Sequence, residues 1–230
     1  TLAMSSAASD VYKRQIFSYE VNKSTDNQIL NFTSNSDNGK KITIKYQIDQ
    51  NSYQINNSII LNEEFEDTDF MDFKWKNKPY HQELNTYNEK NQSTINYLDE
   101  NDNFDYLDYP STEDESIQIS DPIKWISFKQ QYFISSIITN DLFYDSKLYS
   151  LHEEGDEFVK DFTIESKIKL INNSINLDYY FGPNDFKILK EISTDFDKNI
   201  YLGFETIGVR TFNKYILIPI FNFLKNFTES

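Results

Sequence analysis

Apolar side chains recur at every second position in several separate stretches, a period that suits a pleated strand with one buried face and not an amphipathic helix. Ile42, Ile44, Tyr46 and Ile48 alternate with Thr43, Lys45 and Gln47. After the turn-type run Asp49-Gln50-Asn51-Ser52 the alternation resumes in Tyr53, Ile55, Asn57, Ile59 and Leu61, so the two runs read as an antiparallel hairpin. Met71, Phe73 and Trp75 mark a further strand with Asp72 and Lys74 on its outer face. Phe162, Ile164, Ser166, Ile168 and Leu170 precede Asn172-Asn173-Ser174, and Ile175, Leu177, Tyr179 and Phe181 follow it, which reads as a second hairpin. The densest apolar content lies in 123–138, with Trp125, Phe128, Tyr132, Phe133, Ile137 and Ile138, a pair of core strands. Many short strands with no alternating helices predict an all-β, antiparallel sandwich.

Composition narrows the function. The 230 residues hold 37 Asp and Glu against 22 Lys and Arg, a formal net charge of -15. Such a surface repels polyphosphate, which speaks against nucleic-acid partners. Aromatics make up 16% of the chain, enough apolar bulk for a folded core. The absence of cysteine rules out disulfides, thiol catalysis and cysteine-ligated metal. Only 5 glycines are present, and no Gly-rich phosphate loop can be placed. The longest apolar run, 215–221, is far short of the roughly 20 residues a spanning helix needs.

The two ends of the chain read differently from its middle. Residues 1–15 are small and polar up to Asp10-Val11-Tyr12-Lys13-Arg14-Gln15, which looks like one frame of a sequencing adapter. They are expected to be non-native, leaving 16–210 as a sandwich domain truncated at its start. At the other end the period changes to 3.6, with Ile220, Phe223, Leu224 and Phe227 on one side and Asn222, Lys225 and Asn226 on the other. Residues 211–230 are therefore expected to form an amphipathic helix, with Pro219 either in its first turn or at a kink if it begins near Asn213. Its apolar residues Ile216, Leu217, Ile220, Phe221, Phe223, Leu224 and Phe227 suit a lipid headgroup layer. A shorter helix is expected over 185–191, after Gly182-Pro183-Asn184.

Catalytic chemistry is sparse. His81 and His152 lie in polar stretches and read as exposed loop histidines, although His152 with Glu153 or Glu154 would be the pair a sugar epimerase needs. Segment 99–121 carries nine acidic residues and no Lys or Arg, either a solvated loop or a calcium site that lacks the usual spacing and glycine. Trp75 and Trp125 are candidates for a sugar-stacking platform as well as for core packing. No catalytic, cofactor-binding or metal-ligating residue is assigned, and no cofactor is expected.

Three blocks nevertheless resemble a known family. The run 123–136, with Trp125, Lys129, Gln130, Tyr132 and Phe133, is similar to a signature of the periplasmic domain of the YidC membrane protein insertase family, in its Bacteroidetes-like form. Tyr180, Phe181, Gly182 and Pro183 resemble its aromatic-Gly-Pro element, and 213–227 resembles the interfacial helix before its transmembrane core. The resemblance implies a mutarotase-like super-β-sandwich with short C-terminal helices, in a bacterial inner-membrane protein with this domain facing the periplasm. It implies a non-enzymatic accessory role in inserting and folding membrane proteins, with client membrane proteins, the Sec translocon and its accessory subunits as partners. The C-terminal helix would then touch the membrane interface. The transmembrane core that carries the family's groove arginine would lie beyond Ser230, so Arg210 does not take that role. A secreted β-sandwich binding carbohydrate or peptide in a Tyr- and Trp-lined cleft is the alternative.

Overall fold

A computed structural model describes residues 17–36, 39–62, 69–107, 113–152, 155, 157–201 and 209–228. It contains twelve strands: β1 (Ser18–Lys23), β2 (Asn27–Asn35), β3 (Lys41–Asp49), β4 (Gln54–Leu61), β5 (Phe70–Asn77), β6 (Thr94–Asp99), β7 (Phe104–Leu107), β8 (Glu115–Ile119), β9 (Ile123–Lys129), β10 (Phe133–Leu151), β11 (Asp161–Lys169) and β12 (Ser174–Pro183). One layer runs β1-β2-β3-β4-β12-β10-β9-β6-β7, and a second runs β8-β10-β11-β5, with every pairing antiparallel.

Strand β10 belongs to both layers, and its backbone shows how. Residues 133–138 pair with β12 and β9, and 143–151 pair with β11 and β8. Between them Leu142 and Asp145 take positive φ, and the register slips on either side, so the strand bends out of one layer into the next. Side chains replace the lost ladder bonds there: Thr139 Oγ1 donates to Asn176 O, and Asp141 accepts from the Asn176 N–H at 2.9 Å.

Rings from the two layers meet in the core. Trp75 of β5 stacks on Phe128 of β9 at 4.4 Å, Phe128 stacks on Phe162 of β11 at 5.3 Å, and Phe73 packs on Phe143 at 5.5 Å. The expected hairpin over 42–61 forms as β3 and β4. The one expected over 162–181 does not: β11 pairs with β10 and β5, and β12 pairs with β10 and β4. The chain turns through Asn172 and Asn173, both at positive φ, and changes layer there. Period-two patterning fixes which face is buried, and each strand gets that face from the opposing layer, whichever strand lies beside it.

The first layer is covered on its other face as well, by α2 (Phe186–Ile192) and a 3-10 turn (Phe196–Asn199), which pack on Leu98, Trp125, Ile134 and Tyr180. Asp185 caps α2 through its side chain, bonding the Lys187 and Ile188 amides. Burial on both faces explains the near-continuous apolar run of β9. A further helix, α1 (Thr86–Gln92), was not expected from apolar periodicity, because it is polar throughout except for Tyr87. Its signal was the cap, Asn85 Oδ1 accepting from the Asn88 N–H at 3.0 Å.

Candidate functional site

Two of the signature residues, Trp125 and Tyr180, form a socket for the segment 185–200. Trp125 is fully buried on the helix-covered face, and its indole N–H donates to Thr194 O at 3.0 Å. Phe196 meets the rings of Trp125 at 5.1 Å and Tyr180 at 5.6 Å, both edge-on. Each such contact contributes about 1 kcal/mol beyond burial. Tyr180 donates its hydroxyl to Pro183 O, and burial first, then Tyr53 and Asp185, pushes its pKa up to about 12. A Cβ on Gly182 would lie 2.6 Å from that hydroxyl and 2.9 Å from Tyr53 Cβ, so only glycine fits.

The two signature blocks are neighbours in the sheet. Phe133 lies opposite Pro183, and Ile134 opposite Gly182. Gln130 donates its N–H to Phe133 O, closing the β9–β10 turn, and Asn184 donates to Tyr132 O at 2.7 Å. Lys129, 5% exposed, donates to Gln92 O at 2.9 Å, and burial brings its pKa down to about 8. It lines a cavity of about 40 Å³ with Asn96, Asn199 and Tyr201. Tyr132, Phe133 and Phe181 are exposed and take no part in the socket.

Beyond Tyr201 the next described element is helical: α3 (Val209–Phe212), a π turn (Asn213–Leu217) and α4 (Ile218–Thr228) follow without a break. The Ile218 N–H donates to Asn213 O, an i to i+5 bond. This wide turn stands directly before Pro219, where the ladder loses a donor, so the helix starts early and carries its irregularity at the proline. Ile216, Ile220, Phe221, Phe223 and Leu224 are exposed, and Leu217 is half-buried. Phe227 lies within α4, and its side chain falls outside the described residues. Among the described residues no helix is long and apolar enough to cross a membrane.

A larger concavity is an open hollow of about 640 Å³ on the outer face of the second layer. Asp72, Lys74, Gln118, Asp145, Lys147 and Glu165 line it. Lys74 is ion-paired with Glu165, and Lys167 with Asp145 at 3.1 Å. Cross-strand neighbours thus alternate in sign and satisfy one another. Trp75 and Trp125 both serve the core, which removes the stacking platform on which a sugar-binding reading depended.

Neither histidine is the exposed loop residue expected. His81 is buried, with Nδ1 2.6 Å from Glu89 Oε2, and Glu89 also accepts from the Gln82 N–H. His152 is mostly covered, and its backbone N–H donates to Asp114. Glu153 and Glu154 lie outside the described residues. In the acidic segment Asp99 accepts from the Asn101 and Asn103 amides, so its carboxylate serves its own turn, while 108–112 fall outside the described residues. No group of three His, Cys, Asp or Glu side chains suited to a metal occurs among the described residues.

Comparison with known proteins matches the YidC periplasmic domain family over residues 3–216. A membrane protein insertase YidC of Amoebophilus asiaticus is 30% identical over 175 residues, covering 73% of this chain and 29% of the relative. One from Cytophaga hutchinsonii is 26% identical over 229 residues, covering 90% and 36%. The chain thus spans about a third of the length of these relatives. Among solved structures, the GalNAc complex of the α-N-acetylgalactosaminidase NagBb from Bifidobacterium bifidum superposes with a TM-score of 0.50 at 7% identity, over 81% of this chain and 31% of that one. That likeness is one of fold alone.

Proposed function

The chain belongs to the YidC periplasmic domain family, and from that premise we propose that it is the periplasm-facing accessory domain of a bacterial inner-membrane insertase that helps membrane proteins insert and fold. Its partners are client membrane proteins and, in the translocon-dependent route, the Sec machinery with its accessory subunits. The observation that carries this reading is the exposed apolar side of the helical run from Val209 to Thr228. A helix with Ile216, Ile220, Phe221, Phe223 and Leu224 in solvent is poorly accounted for in water and well accounted for in a headgroup layer. The socket around Trp125, Tyr180 and Phe196 holds the segment 185–200 on the sandwich. The domain performs no bond chemistry in this role; it positions and contacts.

The test is genetic. Replacing Ile220, Leu224 and Phe227 by Asp in the full-length insertase is expected to impair complementation of an insertase-depleted strain while the sandwich keeps its circular dichroism. Full complementation by the triple variant would overturn the role given to the helix.

A further inference from the structure

One end of the sandwich carries a group of exposed aromatic side chains. It is formed by the β3–β4 turn, the β9–β10 turn and the end of β12, which the Phe181 N–H to Tyr53 O and Asn184 N–H to Tyr132 O bonds tie together. Four aromatic side chains stand out there: Tyr53 is 50% exposed, Tyr132 55%, Phe133 58% and Phe181 45%. Phe133 and Phe181 share one face of neighbouring strands, Phe181 lies flat on Tyr179, and Tyr53 leans on Tyr180.

The charge pattern singles out this end. In a chain with 37 acidic residues out of 230, the stretches 50–61, 129–140 and 179–184 that build it contain no Asp or Glu. Of the flanking carboxylates, Asp49 accepts from the Asn51 amide and Asp185 caps α2, while Asp26, in the β1–β2 turn whose backbone accepts from the Gln50 N–H, is exposed. Lys187 is exposed in the first turn of that helix. Elsewhere the acidic surface is repelled by anionic lipid, so an end that carries few carboxylates is the part of the sandwich that can approach a bilayer. Tyr201, the last described residue before the helical run, lines the small cavity with Lys129 and Thr94, one position from the β9–β10 turn. Tyrosine and phenylalanine at the headgroup level are the usual anchors of membrane-facing surfaces.

We propose that this end is a second lipid-contact surface, in which Tyr53, Tyr132, Phe133 and Phe181 enter the headgroup layer of a largely zwitterionic membrane together with the C-terminal helix. It rests on the membrane-facing reading above and adds that the sandwich meets the bilayer by its own tip.

Because the chain has no cysteine, single-cysteine variants can be labelled cleanly with an environment-sensitive fluorophore. Labels go in the full chain at Tyr132→Cys on the tip, Phe223→Cys on the helix and Lys167→Cys beside the charged hollow. Vesicles of phosphatidylcholine and phosphatidylethanolamine are then added. The expected result is a blue shift at 132 and 223 and none at 167, with the shift at 132 lost when Phe133→Asp is added. A shift at 223 alone overturns this inference and leaves the helix reading standing; no shift at either site overturns both. Equal shifts at 132 and 167 mean indiscriminate adsorption and overturn the inference. A label at 132 that ignores vesicles and responds to an unfolded membrane-protein segment overturns it in favour of a polypeptide partner.

Discussion

At the scale of single residues, the signature positions owe their identity to contacts that no alternation pattern encodes. Lys129 alternates onto the helix-covered face with Trp125 and Ser127, a position where a charged group pays desolvation. Its pKa lies near 8 in the fold against 10.5 in the free side chain. Below pH 8 both states are protonated and the penalty is full. Between pH 8 and 10.5 the unfolded chain holds a proton that the folded chain has released, so stability rises with pH. Lys129→Met removes this term, and the difference in unfolding free energy between the two proteins should change by about 3 kcal/mol from pH 7 to 10.5. Tyr97, Tyr179 and Tyr180, held protonated mainly by burial, lower stability above pH 10 in both proteins and cancel in the comparison. Urea titrations at several pH values measure it; a constant difference would show that Lys129 is solvated. Gly182→Ala must displace the buried Tyr180 ring or the Tyr53 backbone, and is expected to cost about 1–3 kcal/mol in the same assay. The glycine was visible in the sequence as a strand ending, but the tyrosine hydroxyl it accommodates was not.

At the scale of elements, strand positions were legible and strand partners were not. Ile42 to Leu61 paired as its turn residues implied, because a short connection between strands of one layer leaves no other choice. Ile164 and Ile175 look like such a pair, yet they lie in different layers, since Asn172 and Asn173 turn the chain equally well into either. The polar helix α1 escaped notice because its stability comes from a cap and from Glu89, buried among the amides and the imidazole of 81–83, and not from an apolar stripe. The C-terminal helix was legible in its stripe, whereas its early start through a π turn was not, because proline argues locally for a beginning or a break. The segment 185–200 hangs on Phe196, which is fully buried against two rings. Phe196→Ala should cost about 3–5 kcal/mol. In a Trp75→Phe background, where Trp125 is the only indole, its emission should move to the red at denaturant concentrations where the sheet is still intact. Simultaneous loss of both signals would mean that the helical layer and the sheet form one cooperative unit.

At the scale of the whole molecule, the two core clusters divide the labour. The larger lies between the strand layers, the smaller between the first layer and the segment 185–200, and among the described residues neither contains one beyond Ile200. The acidic composition, which excludes nucleic acid, takes on a positive meaning once the fold shows where the carboxylates are sparse. That pattern was present in the sequence but unreadable without the topology, because the three acid-free stretches are far apart in the chain and meet only at one end of the sheet. The helix beyond 209 keeps much of its apolar surface in solvent, so it adds little to the stability of the folded body. A chain ending at Tyr201 should therefore melt within about 2 °C of the longer one, a shift that corresponds to less than about 1 kcal/mol at this size. It should also bind phosphatidylcholine vesicles more weakly in sedimentation, keeping only the contact made by the tip of the sandwich. A chain ending at Asn184 removes Leu189 and Phe196 as well, exposes Trp125 and Tyr180, and should melt far lower or fail to fold. Calorimetry of the three chains separates the roles: if ending at 201 lowers the melting temperature as much as ending at 184, the helix is a structural part of the sandwich and not its link to the membrane.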